Sequence, residues 1–173
     1  MENKQFILNE LNKQFDFLFE ILDSTSEEKL VSGSAEKWSP MMQLDHLIRS
    51  TRAVNRGLMV PKFLFPFITG KIKRNPYSYL EVVEKYTNKL ADGAKATGGY
   101  IPNEKEINDL PKLLSEMKKE QKRMIENLKN WSENDLDKNV MPHPIIGKIS
   151  VREMLFFTIY HIQHHAKSIQ KMG

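Results

Sequence analysis

The chain has 173 residues, 40% of them hydrophobic and 28% charged, the balance of a single soluble globular domain (1–173) with a core of its own. It has no cysteine, which excludes disulfides, thiolate metal sites and a cysteine nucleophile. The 26 basic and 22 acidic residues leave a net charge of +4 spread along the chain, too small and diffuse to suggest a nucleic-acid or membrane partner.

The N-terminal stretch, Met1 to Asn12, is polar and charged with interspersed apolar residues, and it lacks the apolar core of a signal peptide. A cytoplasmic location is the expectation. From residue 3 to 22, Phe6, Ile7, Leu11, Phe15, Leu18, Phe19 and Leu22 recur at spacings of three and four, one face of an amphipathic helix. Ser24 to Glu28 offers a short helical turn, which Gly33 ends. Trp38-Ser39-Pro40 then opens a second long helix, with Ser39 as cap and Pro40 at the first position, where no N–H is needed. Leu44, Leu47, Ile48, Thr51, Val54 and Leu58 make its apolar face, and His46 lies beside that face. Asp45 and Arg49, four residues apart, read as a surface ion pair of small worth.

Residues 59–76 are irregular, with Pro61, Pro66, Gly70 and Pro76. Their apolar run, Phe63 to Thr69, is too short to span a bilayer. Its three phenylalanines, Phe63, Phe65 and Phe67, are expected to pack over one end of the bundle, a lid or dimer contact being the sharper alternative. Lys71 to Arg74 reads as a solvated loop. A shorter helix follows over Tyr77 to Leu90, with Leu80, Val83, Tyr86 and Leu90 in register. The segment from Ala91 to Ile101 is a Gly- and Ala-rich loop closed by Pro102. A third long helix runs from Asp109-Leu110-Pro111 to Trp131, with Lys118, Lys119, Glu120 and Lys122 on a solvated face. Residues 134–147 form a long connection containing Pro142 and Pro144. Ser150 and Glu153 then form a capping box ahead of a last helix reaching Ile169. Nothing alternates with period two, so no significant sheet is expected. The fold class is all-α, a four-helix bundle of antiparallel type whose long connections permit a non-simple order.

Three of the five histidines fall in Tyr160-His161-Ile162-Gln163-His164-His165. At about 100° per residue from His161, the core residues Leu155, Ile159, Ile162, Ala166 and Ile169 cluster around 120°. His165 falls near 40°, on the core side, and His164 near 300°, toward solvent. His161 and His165 are thus placed to lean together, as two ligands of one metal do. If the second and last helices run antiparallel, His46 reaches similar depth. Such histidines also serve as hydrogen-bonded boundary residues of a core, and spacing leaves both readings open. Three imidazoles leave a coordination position for water or substrate. Gln43, one turn from His46, is the first candidate to orient the imidazoles, ahead of Tyr160 and Gln163. His143, between two prolines, is expected to be structural, with a proton shuttle as the alternative.

Trp38-Ser39-Pro40 followed by Gln43-Leu44 and His46-Leu47 resembles the second-helix signature of the DinB/YfiT-like superfamily. Met141-Pro142-His143-Pro144-Ile145-Ile146-Gly147-Lys148, followed by Phe157 to His165, resembles the closing part of its DinB-like branch. The resemblance implies a four-helix bundle with a divalent transition metal, zinc or nickel, held by His46, His161 and His165. It further implies a homodimer, and a hydrolase or thiol-dependent transferase acting on a small molecule, the co-substrate being a low-molecular-weight thiol. A bundle that keeps its metal for structure or sensing, or an interaction module without metal, remains the alternative. Residues 59–102 carry no motif of the family, so the substrate is left open.

Overall fold

The computed structural model describes residues 2–34 and 37–173; Met1, where the polar N-terminal stretch begins, lies outside them. In chain order the elements are α1 (Lys4–Ser24), α2 (Glu27–Val31), α3 (Pro40–Leu58), α4 (Phe65–Ile68), α5 (Tyr79–Ala91), α6 (Leu110–Lys129), α7 (Glu133–Lys138), β1 (Val140–His143), β2 (Gly147–Ser150) and α8 (Val151–Gln170). The long helices α1, α3, α6 and α8 form the expected bundle. Each starts where its sequence provides a start. Asn3 accepts a hydrogen bond from the Phe6 amide at 2.9 Å, and Ser39 from the Met42 amide at 3.2 Å. Ser150 and Glu153 form a reciprocal capping box. The predicted stripes face the core: Ile7, Leu11, Phe15, Leu18 and Leu22 on α1 and Leu44, Leu47, Ile48, Thr51, Val54 and Leu58 on α3 are buried, while Phe6 and Phe19 at the margin of α1's stripe are half-buried. No helix of the described residues is long and apolar enough to cross a membrane.

The order of the helices is not a simple alternation. At one end Lys4 bonds the Trp131 carbonyl (2.9 Å) and Arg152 bonds the Glu2 carbonyl (3.0 Å). At the other, Lys29 bonds the Gly173 carbonyl. Hence α1 and α8 run parallel. Gln43 meets His165 and Met172 while His46, one turn on, meets His161, so α3 runs antiparallel to α8. Arg52 reaches Glu116, Asn55 reaches Glu120, and the Trp131 indole reaches the Leu58 carbonyl. These contacts advance together, so α3 and α6 run parallel. Residues 59–109 must therefore carry the chain back along the bundle before α6 begins.

Several local expectations need correction. On α5 the buried positions are Val82 and Tyr86, while Leu80 is 73% exposed. Tyr79 and Val82 offer a stripe at the same spacing one residue round from the predicted one, and periodicity does not choose between them. Glu120, assigned to a solvated face, is buried one turn from Met117 and Met124, with its charge met by Arg52, Arg123 and Asn55. Of the three phenylalanines only Phe65 packs inward, edge-on to Trp131; Phe63 and Phe67 are exposed. The connection over 134–147 holds α7 and the first strand of a hairpin, β1 antiparallel to β2 with Val140 opposite Ser150. Strands of four residues are too short to show an alternating pattern, and this two-stranded ribbon is the sheet among the described residues.

Glu153 anchors the start of the return. It is fully buried and takes both Arg74 guanidinium nitrogens (2.6 and 2.7 Å) and the Tyr77 amide (2.6 Å), besides its own cap bond to the Ser150 amide (2.7 Å). Burial pushes this carboxyl up, but Arg74 and the two amides outweigh it and hold the group below the usual carboxylate range. A carboxyl whose folded pKa is depressed stabilises the fold above its unfolded value, about 4.3, and that contribution is lost as pH falls through the folded value. Glu153→Ala is expected to cost about 3 kcal/mol in urea unfolding at pH 7. Glu153→Gln is expected to flatten the acid limb of the stability profile, and a wild-type limb in that variant would show that Glu153 is not its source.

Candidate metal centre

Burial in the bundle brings His46, His161 and His165 together from α3 and α8. The His161 Nε2 lies 3.0 Å from Nε2 of His46 and 3.2 Å from Nε2 of His165. One ligand nitrogen from each ring falls within 4.8 Å of the others, and all three side chains are buried. Trp38 lies against His46 with ring centroids 5.0 Å apart, and Phe157 stacks on His161 at 4.8 Å. Burial lowers the pKa of all three histidines, against the opposing Tyr100 carbonyl at His46 and reinforced by neighbouring imidazoles at His161 and His165. At neutral pH the rings are uncharged and their lone pairs are free to ligate.

The hydrogen bonds at the far side of two rings place their protons. The His46 Nδ1 lies 2.7 Å from the Tyr100 carbonyl oxygen, which only accepts, so Nδ1 carries the proton. The His165 Nδ1 lies 3.0 Å from the Gln43 Oε1. The Gln43 amide is turned this way because its Nε2 donates to the Trp38 carbonyl at 3.2 Å, so His165 also carries its proton on Nδ1. Two unprotonated Nε2 atoms therefore converge on the Nε2 of His161, and one proton at most is available among the three. That donor set fits a cation. Zinc bonds of 2.0–2.1 Å in tetrahedral geometry set imidazole nitrogens about 3.4 Å apart, close to the 3.0 and 3.2 Å by which His46 and His165 approach His161. The expected orienting role of Gln43 is met at His165, while His46 is served by a loop carbonyl that no side-chain pattern reveals.

The cluster opens into a cavity of about 400 Å³. Residues from α3, α5, α8, the hairpin and the 95–100 loop line it, most of them apolar, among them Val54, Leu90, Met141, Ile145, Met154 and Phe157. Tyr86, missed as a site residue, lies edge-on to Phe157 and His161, and burial pushes its phenol up to about 12, so it stays protonated. His164 does not join the cluster. It is half-buried at the cavity edge beside His165 rather than free in solvent. His143 also lines the cavity, with its Nδ1 accepting the Ile145 and Ile146 amides at 3.1 and 3.2 Å. Burial pushes its pKa down to about 4. With the Nδ1 lone pair engaged and the ring neutral, His143 presents an Nε2–H donor, which fits the structural role and not a shuttle that must also accept. The Asp45–Arg49 pair forms at 2.9 Å, but Asp45 is buried and its carboxylate also takes the Asn103 amide.

The DinB superfamily profile matches residues 8–169. The chain is also similar to a solved structure, YfiT from Bacillus subtilis, described as a probable metal-dependent hydrolase with an unusual four-helix bundle topology. The two share 16% identity with a TM-score of 0.63, covering 98% of this chain and 85% of that one, a likeness that establishes the fold. No curated protein matches the sequence. Protein purified without a nickel column is expected to take up one divalent transition metal, measured by elemental analysis and calorimetry. His46→Ala and His165→Ala should abolish tight binding, and His164→Ala should leave it within about twofold, since it removes no ligand. Equal losses in all three variants would refute the division of the histidines.

Proposed function

The chain belongs to the DinB superfamily, and from that premise we propose that it is a divalent-metal-dependent enzyme acting on a small, largely apolar molecule, with hydrolysis as its leading reaction. The observation that carries this reading is the convergence of the His46, His161 and His165 Nε2 atoms beneath an accessible apolar cavity rather than in a closed shell. A structural metal needs no such opening. A divalent zinc- or nickel-class ion there would supply Lewis acidity and a nucleophile near neutral pH, from water or from a thiol.

The protein's own groups account for the rest. Gln43 and the Tyr100 carbonyl hold two ligand rings in their Nδ1–H form. The apolar walls lower the local dielectric and so strengthen electrostatic interactions inside. Tyr86, His143, Lys95 and Thr97 are among the lining residues that carry donors, and the Tyr86 hydroxyl is suited to orienting a substrate oxygen. Among the described residues that line the cavity there is no Asp or Glu to act as general base. That favours a second reading, thiol-dependent transfer, because a thiol near pKa 8.5 needs less help than water to ionise.

The test is a panel of small apolar esters, amides and electrophiles, assayed with metal-loaded and chelator-stripped protein, with and without a low-molecular-weight thiol. Turnover should vanish on stripping and return on reloading. A requirement for thiol selects transfer, and thiol-independent turnover selects hydrolysis. Loaded and stripped protein that are equally inactive across the panel would favour the non-catalytic bundle that retains its metal.

A further inference from the structure

The Tyr100 carbonyl that accepts from His46 belongs to no helix of the bundle. It sits in the segment between α5 and α6, in a 3-10 turn over Gly98–Tyr100. A loop carbonyl holds an imidazole well only if the loop itself is held, and the attachments here are specific. Asp45, beside His46 on α3, accepts the Asn103 amide at 3.3 Å and the Arg49 Nε at 2.9 Å, and Lys105 stands 3.9 Å from its other oxygen. Arg49, one turn further on, donates from Nη1 to the Gly99 carbonyl at 3.3 Å. Attachments thus fall on both sides of Tyr100, and both trace to one buried carboxylate. Gly98 allows the segment to turn into this position, with a φ of +56° that a side chain would strain.

We propose that Asp45 is a positioning residue for the metal site: with Arg49 it holds the backbone on either side of Tyr100, and so fixes the carbonyl that keeps the His46 proton on Nδ1 and its Nε2 lone pair aimed at His161. The proposal takes the metal reading of the cluster as its ground. Asp45 does its work through the segment and not by touching the cluster. The same segment supplies Lys95, Ala96 and Thr97 to the cavity wall, so one carboxylate sets both a ligand's tautomer and the place of that wall. Partners of this kind, beyond the ligands themselves, typically change metal affinity by about 10–100-fold.

The experiment uses the full chain and two readouts. In metal-free protein, long-range proton–nitrogen correlation spectra report which His46 nitrogen carries the proton. Wild type should show Nδ1–H, and Asp45→Ala and Arg49→Ala should show a shift toward Nε2–H. In chelator competition, Asp45→Ala should lose about tenfold or more in zinc affinity and Arg49→Ala less, with Asp45→Glu restoring part of the loss. Should Asp45→Ala fail to fold, Arg49→Ala carries the test, because it releases Gly99 and leaves the Asp45–Asn103 bond in place. A general loss of stability would lower the urea midpoint without moving the tautomer. Wild-type tautomer and affinity in both variants would overturn the assignment. If wild type itself binds no zinc, the proposed function fails, while the tautomer spectra still decide the role of Asp45.

Discussion

The parallel run of α3 and α6 governs the rest of the molecule. A helix of 19 residues such as α3 is about 28 Å long. A chain leaving its far end must recover that distance before a parallel neighbour can begin. Residues 59–109 do so, and they also build the site. They supply α5, with Tyr86 and Leu90 on the cavity wall, and the loop that carries Lys95 to Tyr100 across His46. In an up-and-down bundle a short turn would replace this segment, and the histidine cluster would lose the part of its wall that α5 and the 95–100 loop supply.

Buried charge is placed to hold that return at both ends. Glu153 fixes its early part through Arg74 and Tyr77, and Asp45 fixes its late part through Asn103 and Arg49. Breaking such a group's contacts is costly, because a carboxylate out of water without partners loses far more than one hydrogen bond is worth. Each carboxylate therefore specifies where the segment docks as well as adding to stability. The cluster itself follows the opposite rule. Its three imidazoles are buried without a compensating acid in contact, so they stay neutral, and two have their protons drawn to the far side. The outcome is a concentration of lone pairs, the state in which imidazole binds a cation.

The helices and their starts were legible because they rest on local physics. The serine caps at Ser39 and Ser150, Pro40 in the first turn and the stripes from Ile7 to Leu22 and Leu44 to Leu58 are contacts within one helix or one face. The inward turn of His161 and His165 was legible for the same reason, since a helix fixes the angle between residues four apart. Less was legible where two stripes competed or where a charged residue lay on a buried face. Val82 and Leu80 offered equivalent periodicity on α5. Glu120 read as solvated because its neighbours are lysines, although the spacing from Met117 and Met124 places it inward.

Four long amphipathic helices, the caps that start them and the two inward histidines of α8 are readable from the chain alone, because each depends on residues within a few positions of one another; the place of His46 depends in addition on how α3 lies against α8. Tertiary structure alone decided that α3 lies parallel to α6 and antiparallel to α8, that Gln43 serves His165 while a loop carbonyl serves His46, and that Asp45 is an interior anchor and not a surface charge. These are contacts between segments 50 or more residues apart, such as His46 to Tyr100 and Gln43 to His165. A backbone carbonyl is the same in every residue, so nothing in the identity of Tyr100 marks it as the partner of an imidazole until the chain has turned back to meet it.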